Sequence, residues 1–341
     1  LVREGGMSGS ENSTSPNLNS SSEGETLLTE GHAELALENL SRVERPLLLL
    51  GVGRTARALV AYIRGGLAQP ENFSCGVIYG TTREEGRAAE LKELGIEPLV
   101  LDKLLDFAAE RQDGSKVGAL KRLQELAKGA LVLVSFPPDG STDRILSEVV
   151  GAVAAKIVYI SSTGVYGKQQ GIIDEETDVD KQEPAARQRL AAEDIWRDCG
   201  AVVLRAPGLY DYSYGLHLRL IAGQYRLPGD GTNYVSRIHL DDLARIIVAA
   251  FLRAQARSLY LVGDLKPSTH LSVATWLCSE LNMPLPESQS LASVNPTLRG
   301  NRQINARRVL RDLGVELSFP SYVEGYTDCL KKYRSASSVL R

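Results

Sequence analysis

A doubly wound α/β fold, with a parallel sheet, helices on both faces and a small C-terminal lobe, is predicted by three features of the sequence. Short apolar runs alternate with helical segments at crossover spacing from Leu47 to Arg205, the pattern of right-handed βαβ units. The first run, Leu47–Leu50, passes through the glycine turn GVGRTA (Gly51–Ala56) straight into a helix. Past Arg205 the rhythm loosens: Pro207–Val235 is rich in Gly, Tyr and Pro and has little periodicity, as expected of loops and a lobe over the sheet.

Residues 1–44 form the tail of this organisation. Leu1 to about Glu25 are rich in Ser, Asn and Gly and bury too little apolar surface to offset ordering entropy, so disorder is expected. Leu35, Leu37 and Leu40 give Thr29–Val43 helical spacing, and a short amphipathic helix is expected there. Residues 45–205 are read as the nucleotide-binding domain. Its strands are expected at Leu47–Leu50, Phe73–Tyr79, Ile96–Leu101, Ala130–Ser135, Lys156–Ser161 and Ala201–Arg205, the first a continuous apolar run suited to burial on both faces. Helices are expected at Thr55–Ile63, Glu84–Leu94, Thr142–Ala154 and Pro184–Cys199, with two more between Asp102 and Lys128 divided near Asp113 and Gly114. Residues 206–330 are the lobe, with segments returning to the first domain: a helix capped by Asp241 and reaching about Ala254, a strand at Leu259–Val262, and helices at Thr269–Leu281 and Asn305–Leu313. Residues 331–341 are expected to fray, from Ser335 onward most clearly.

Composition narrows the function classes. With 39 Lys and Arg against 42 Asp and Glu, the net charge of −3 is small and interspersed, so there is no electrostatic footprint for nucleic acid, and a small-molecule partner is expected. No apolar run reaches the ~18–20 residues a membrane span needs. Cys75, Cys199, Cys278 and Cys329 lack paired spacing, and His32, His217, His239 and His270 lack metal-ligand spacing, so reduced thiols and no metal are expected. Glu4, Glu11, Glu23 and Glu25 fit a transit peptide poorly. An intracellular soluble protein is expected, cytoplasmic or in an organellar matrix or stroma.

The glycine turn carries the first chemistry. Gly51 allows the tight turn, Gly53 close backbone approach, and Ala56 close helix packing. Gly51, Gly53, Arg54 and Thr55 are expected cofactor contacts, the turn's free amides aimed at a pyrophosphate at the positive end of the following helix and Arg54 adding a positive charge. The alternative is a strand-to-helix turn without a ligand. At the end of the second strand, where an acid would hold the ribose of NAD, the sequence offers Gly80, Thr81, Thr82 and Arg83. Two hydroxyls and a guanidinium suit a 2′-phosphate, so NADP is the expected cofactor and NAD the alternative. The plainer reading of Arg83 is the start of a solvated helix.

Six segments in order give the chain a resemblance. GVGRTA, SSTGVYG (Ser161–Gly167), LRAPGLY (Leu204–Tyr210), RIHLDD (Arg237–Asp242), YLVGD (Tyr260–Asp264) and NARRVLRDLG (Asn305–Gly314) together resemble an atypical extended short-chain dehydrogenase/reductase of the NAD-dependent epimerase/dehydratase-like group. The resemblance implies a Rossmann domain binding NAD(P), a small substrate lobe and pairing as a homodimer. It also implies a substrate-orienting hydroxyl, matched by Ser162, and a tyrosine acid or base with a lysine four residues later. That pair falls on PAARQRLAAE (Pro184–Glu193), where Ala185 stands for the tyrosine and Arg189 for the lysine. No Y-x-x-x-K occurs anywhere in the chain.

A phenol brought toward neutrality by a cation is what this chemistry needs. Ala185 has no proton to give, and Arg189 can hold a ribose or phosphate but cannot shuttle protons. Tyr166 is the candidate substitute, with Ser162 the other catalytic candidate; Tyr210, Tyr212 and Tyr214 also lie near predicted strand ends. Phe136, Pro137 and Pro207 are expected to flank the cofactor. His239 reads as structural beside an Asp-capped helix, and Arg299, Arg302, Arg307 and Arg308 as a solvated helix face. Two functions fit: an NAD(P)-dependent protein acting on a small polar metabolite or sugar nucleotide, and a non-catalytic NADP-binding sensor, scaffold or assembly factor.

Overall fold

The computed structural model describes residues 44–65, 73–101, 114–295 and 298–339. The expected N-terminal helix and the first of the two helices before Lys128 lie outside these residues. β1 (Arg45–Leu50) ends in four leucines with no exposed surface, because a strand covered on both faces needs apolar side chains on both. It leads into α1 (Arg54–Arg64), β2 (Cys75–Thr82), a 3₁₀ turn at Glu85–Arg87, α2 (Ala88–Glu93) and β3 (Glu97–Val100). Then follow α3 (Gly114–Ala127), β4 (Leu131–Val134), α4 (Thr142–Val150), β5 (Lys156–Ser162), β6 (Gln170–Ile173), α5 (Pro184–Asp198) and β7 (Val202–Ala206).

Seven strands form one parallel sheet in the order β12-β7-β5-β4-β1-β2-β3, the seventh being β12 (Leu259–Leu261). The chain runs outward from β1 through β2 and β3, then returns to add β4 on β1's other side. Between β1 and β4 the winding reverses, and a crevice opens there beyond the strands' carboxyl ends. Successive residues of β1 point to opposite faces. Leu47 and Leu49 pack with Leu59 and Val60 of α1 and Ile246 and Ile247 of α7 (Leu240–Arg253), while Leu48 and Leu50 pack with Leu123, Leu146 and Trp196 on the other face. The doubly wound expectation holds, and the strand limits move by one to three residues.

The largest of those shifts matters for the site. β2 continues to Thr82 rather than stopping at Tyr79, so Thr81 and Thr82 are strand residues and Arg83 and Glu84 leave the sheet directly. Gly80 sits where β2 crosses under the turn; a Cβ there would meet Val52 and Ile96 side chains at 2.6 Å. The helix expected from Glu84 begins only at Ala88, after the 3₁₀ turn.

The lobe contains β8 (Gly208–Tyr210), α6 (Leu216–Ile221), β9 (Leu227–Pro228), β10 (Tyr234–Val235), β11 (Arg237–His239), β13 (Ser268–Thr269), α8 (His270–Leu281), β14 (Ser288–Gln289) and β15 (Asn301–Ile304). α9 (Arg307–Leu313) returns to the sheet, where Val309 and Leu313 join the core with Ile246 and Ile247. β6 pairs in parallel with β15; neither strand carries an apolar run, which is why sequence patterning missed both. The α7 cap is His239, whose Nδ1 accepts the Asp241 amide at 3.2 Å, rather than Asp241 itself. α10 (Tyr322–Val339) continues past Ser335, where fraying was expected. Its Tyr326, Cys329 and Leu330 are buried against Tyr210, Leu220, Tyr225 and Leu277 in the lobe core. No helix among the described residues is long and apolar enough to cross a membrane.

Candidate active site

The crevice between β1 and β4 is a cleft of about 900 Å³. Its floor is the glycine turn, held from both sides. The Gly51 amide donates to Thr81 Oγ1 at 2.9 Å, and Ser135 Oγ donates to the Gly51 carbonyl at 2.8 Å. Gly51 has φ +87°, and a Cβ would stand 3.0 Å from Phe136 Cβ and 3.2 Å from the Phe136 amide nitrogen; only glycine fits both the conformation and the space. Gly53 is different: a Cβ there would meet no atom within 4 Å, because the residue borders the open cleft. It caps α1 without a side-chain bond, and the helix's first turn carries no acid. The helix therefore presents unsatisfied amides and its positive end to the cleft, a fit to a pyrophosphate.

Of the residues singled out in the sequence, Gly51, Gly53, Arg54, Thr81, Thr82, Arg83, Phe136 and Pro137 line this cleft. Thr55 does not; it is buried against the sheet. Thr82 Oγ1 is committed to its own loop, bonding the Glu84 amide and carbonyl at 3.2 Å each. The cleft also holds four residues that the sequence did not single out as cofactor contacts: Arg57 and Arg87, and two acids, Glu84 and Asp139. Four guanidiniums thus meet two carboxylates. Arg57 Nη1 is 2.7 Å from Glu90 Oε1, and Arg87 reaches the same carboxylate at 3.6 Å. Asp139 is occupied as a cap, accepting the Thr142 amide at 2.8 Å and its hydroxyl at 2.5 Å. Burial alone would raise the Asp139 pKa, but the Thr142 and Ser141 bonds and the charge of Arg83 hold it below the usual value.

A second cavity, of about 360 Å³, lies between the sheet edge and the lobe and contains Ser162 and Pro207. Arg54 and Tyr214 join the two spaces: Arg54, from the cleft, stacks its guanidinium 3.9 Å over the ring of Tyr214, which lines the second cavity. Ser162 Oγ accepts the Gly164 amide at 3.0 Å and keeps its own proton to donate. Further in stand Arg219, Arg237, Arg302 and His270. Arg302, expected on a solvated helix face, instead extends from β15, half-buried, and donates to the Gly167 carbonyl at 2.5 Å. Burial first, then the charges of Arg237 and Arg219, hold the His270 pKa down at about 4. The ring is neutral near pH 7, 3.1 Å from the Tyr225 hydroxyl.

Tyr166 and Arg189 line neither cavity. The Tyr166 ring is fully buried, its hydroxyl donating to the Asp174 carbonyl at 3.1 Å and accepting from Arg205 Nη1 at 2.9 Å. Burial raises its pKa, and Arg205 only partly opposes this. Arg205 pairs with Glu193 at 2.7 and 3.0 Å, and Glu193 accepts the Ser161 hydroxyl at 2.5 Å. Arg189 is half-buried with its charge beside the Tyr159 phenol. Ala185 is exposed on the first turn of α5, three residues before Gln188, whose Nε2 donates to the Pro138 carbonyl at 3.1 Å.

Two other clusters are ionic but lie outside both cavities. His239, Asp241 and Asp328 bring ligand atoms within 4.8 Å of one another; Lys332 Nζ, 2.8 Å from Asp328 and 3.6 Å from Asp241, supplies the positive charge there. Asp264 is 1 % exposed with Oδ2 unpartnered, and burial lifts its pKa from 3.8 to about 7, Arg237 opposing. Between those values the folded chain binds a proton that the unfolded chain has released, so this residue's effect on stability worsens as pH rises through the window. Asp264→Asn is expected to remove that slope: urea midpoints at about pH 5 and about pH 8 should converge in the variant relative to the parent. Equal slopes in both proteins would refute it.

Residues 140–263 match the NAD dependent epimerase/dehydratase family. No curated protein shows significant sequence similarity to the chain. A functionally unknown conserved protein from Silicibacter pomeroyi is similar in structure, with a TM-score of 0.67 and 25% identity over 86% of this chain and 99% of that one. dTDP-glucose 4,6-dehydratase from Bacillus anthracis, solved in complex with NAD, has a TM-score of 0.64 and 16% identity over 86% and 97%. UDP-glucuronic acid 4-epimerase from Bacillus cereus, also in complex with NAD, has a TM-score of 0.63 and 15% identity over 84% and 99%. These last two likenesses are of fold.

Proposed function

From a chain whose residues 140–263 match the NAD dependent epimerase/dehydratase family and whose sheet is that of the extended short-chain dehydrogenases, we propose an NADP-dependent protein that holds a small polar metabolite in the cavity beside its cofactor cleft. The observation that carries this reading is the cleft itself, at the sheet's switch point, with the glycine turn as floor and four guanidiniums around it. The α1 amides and Arg54 would hold the pyrophosphate, and Arg83, at the end of β2, the 2′-phosphate. Glu84 is the residue that could serve a ribose hydroxyl instead, as NAD requires; Arg83 and Arg87 outweigh it in charge.

The cofactor, when bound, supplies hydride chemistry; the chain's part is to place the metabolite against it. Ser162 can donate its proton to a substrate oxygen while its position is fixed by the Gly164 amide. Arg83→Ala is expected to weaken NADP about 10- to 100-fold and leave NAD almost unchanged, since a charge-assisted pair to the 2′-phosphate is lost. Calorimetric titration of both cofactors checks this, and parallel losses for NADP and NAD would remove the cofactor assignment.

A second reading is favoured by one observation. At the position of the family's tyrosine stands Ala185, an exposed methyl group, and no phenol in the chain has a lysine four residues on. The loss of such an acid or base is typically worth about 10²–10⁴ in rate. A protein that binds NADP and a metabolite without turnover, as a sensor or assembly factor, follows from that. NADPH consumption in the presence of small carbonyl acids separates the two: sustained turnover sensitive to Ser162→Ala supports the enzyme, and binding without turnover supports the sensor.

A further inference from the structure

We infer that the second cavity takes a compact acid, a small molecule with one phosphoryl or carboxylate head, and that Arg237 is its buried anchor. This rests on the reading of that cavity as the metabolite site and narrows the ligand's chemical class. Arg219, Arg237 and Arg302 converge there with the His270 ring, and no Asp or Glu among the described residues lines it. Arg237 is 6 % exposed, and its Nη1 has no hydrogen-bond partner. No carboxylate among the described residues stands within ion-pair distance of it. Burying a guanidinium without a partner is costly, and folded proteins retain such groups where a ligand completes them.

The neighbouring groups give it no ion pair and leave Nη1 without a hydrogen bond. Tyr322 lies under the guanidinium at 5.8 Å from the ring centroid, which leaves the charge in place. Asp264 feels the Arg237 charge, which partly opposes the rise that burial gives its pKa, but the two side chains form no ion pair; the direct contact is through the backbone, the Asp264 amide donating to the Arg237 carbonyl at 2.8 Å. The field is strong enough to be felt by His270, whose protonated form Arg237 and Arg219 both disfavour. A fork of donors facing an otherwise acid-free cavity suits the planar or tetrahedral oxygens of a carboxylate or phosphoryl group.

Size sets the second half of the inference. The cleft that fits a dinucleotide has about 900 Å³, and this cavity about 360 Å³. A nucleoside diphosphate joined to a sugar has well over half the bulk of a dinucleotide. The cavity falls near the lower end of small-molecule sites, roughly 300–1,000 Å³, and suits the acid head with a short carbon skeleton.

The test uses the full chain saturated with NADP and titrated by calorimetry with glycerol 3-phosphate, lactate and UDP-glucose. Binding of glycerol 3-phosphate or lactate is expected, the stronger of the two identifying the head group. Arg237→Met should weaken it about 10- to 100-fold while NADP affinity stays constant. Should Arg237→Met fail to fold, Arg219→Gln and Arg302→Gln carry the test, each expected to weaken the same acid several-fold. Absence of binding by both small acids, or binding indifferent to all three substitutions, overturns the inference. UDP-glucose binding more tightly than either small acid overturns the compact-ligand half. If NADP itself does not bind, the proposed function fails; NADP binding without acid binding refutes this inference alone.

Discussion

Arg205→Met is expected to cost about 3–5 kcal/mol of folding stability, the penalty of leaving one member of a buried ion pair without the other. The Glu193 and Arg205 side chains are 3 % and 7 % exposed and meet through two bonds of 2.7 and 3.0 Å. Glu193 descends from α5, Arg205 is the last but one residue of β7, Ser161 on β5 donates to the same carboxylate, and Tyr166 accepts from the remaining guanidinium nitrogen. One charged pair therefore fastens a helix to two neighbouring strands just below Ser162. With methionine at 205, the carboxylate keeps only the Ser161 hydroxyl, and its desolvation is no longer offset. The double variant Arg205→Met with Glu193→Leu removes both charges at similar volume and is expected to regain most of the loss. Urea unfolding of the parent, single and double variants measures this. A single variant within about 1 kcal/mol of the parent, the range of exposed pairs, would show that the pair is not desolvated in solution.

The same network explains how the sequence could mislead about Tyr166. Its place in SSTGVYG, just beyond a strand end, is where a reactive phenol would stand, and nothing in local spacing reveals that Arg205, 39 residues later, takes its hydroxyl. Local signals served where a residue's role depends on its own element. Four consecutive leucines announced β1, and the glycines after them announced the turn, because burial and φ are local demands. The arginines of the second cavity come from α6, β11 and β15. Their convergence is a property of the topology, and each in sequence is an ordinary surface charge. α10 was legible in principle, since Tyr322, Tyr326, Cys329 and Leu330 follow helical spacing, but the polar residues between them dilute the pattern.

Gly53→Asp is expected to abolish most NADP binding while leaving the fold intact or slightly more stable. The residue sits at φ −89°, ψ −163°, open to any side chain, and a Cβ would meet nothing within 4 Å. It is the cap of α1 and makes no side-chain bond; aspartate there would accept an amide of the first turn, worth about a few tenths of a kcal/mol over glycine. Those amides are the ones a pyrophosphate would need. A carboxylate about 4 Å from a phosphate repels it by roughly 4 kcal/mol at an effective dielectric of 20, so affinity should fall by about 100-fold or more. Gly51→Ala gives the contrast. Its Cβ would press on Phe136 at 3.0 Å from a backbone at φ +87°, so that variant should lose stability together with binding. Melting temperatures and calorimetric NADP titrations of the two variants separate a glycine kept for the ligand from one kept for the chain. Undiminished NADP binding by Gly53→Asp would place the cofactor elsewhere than this turn.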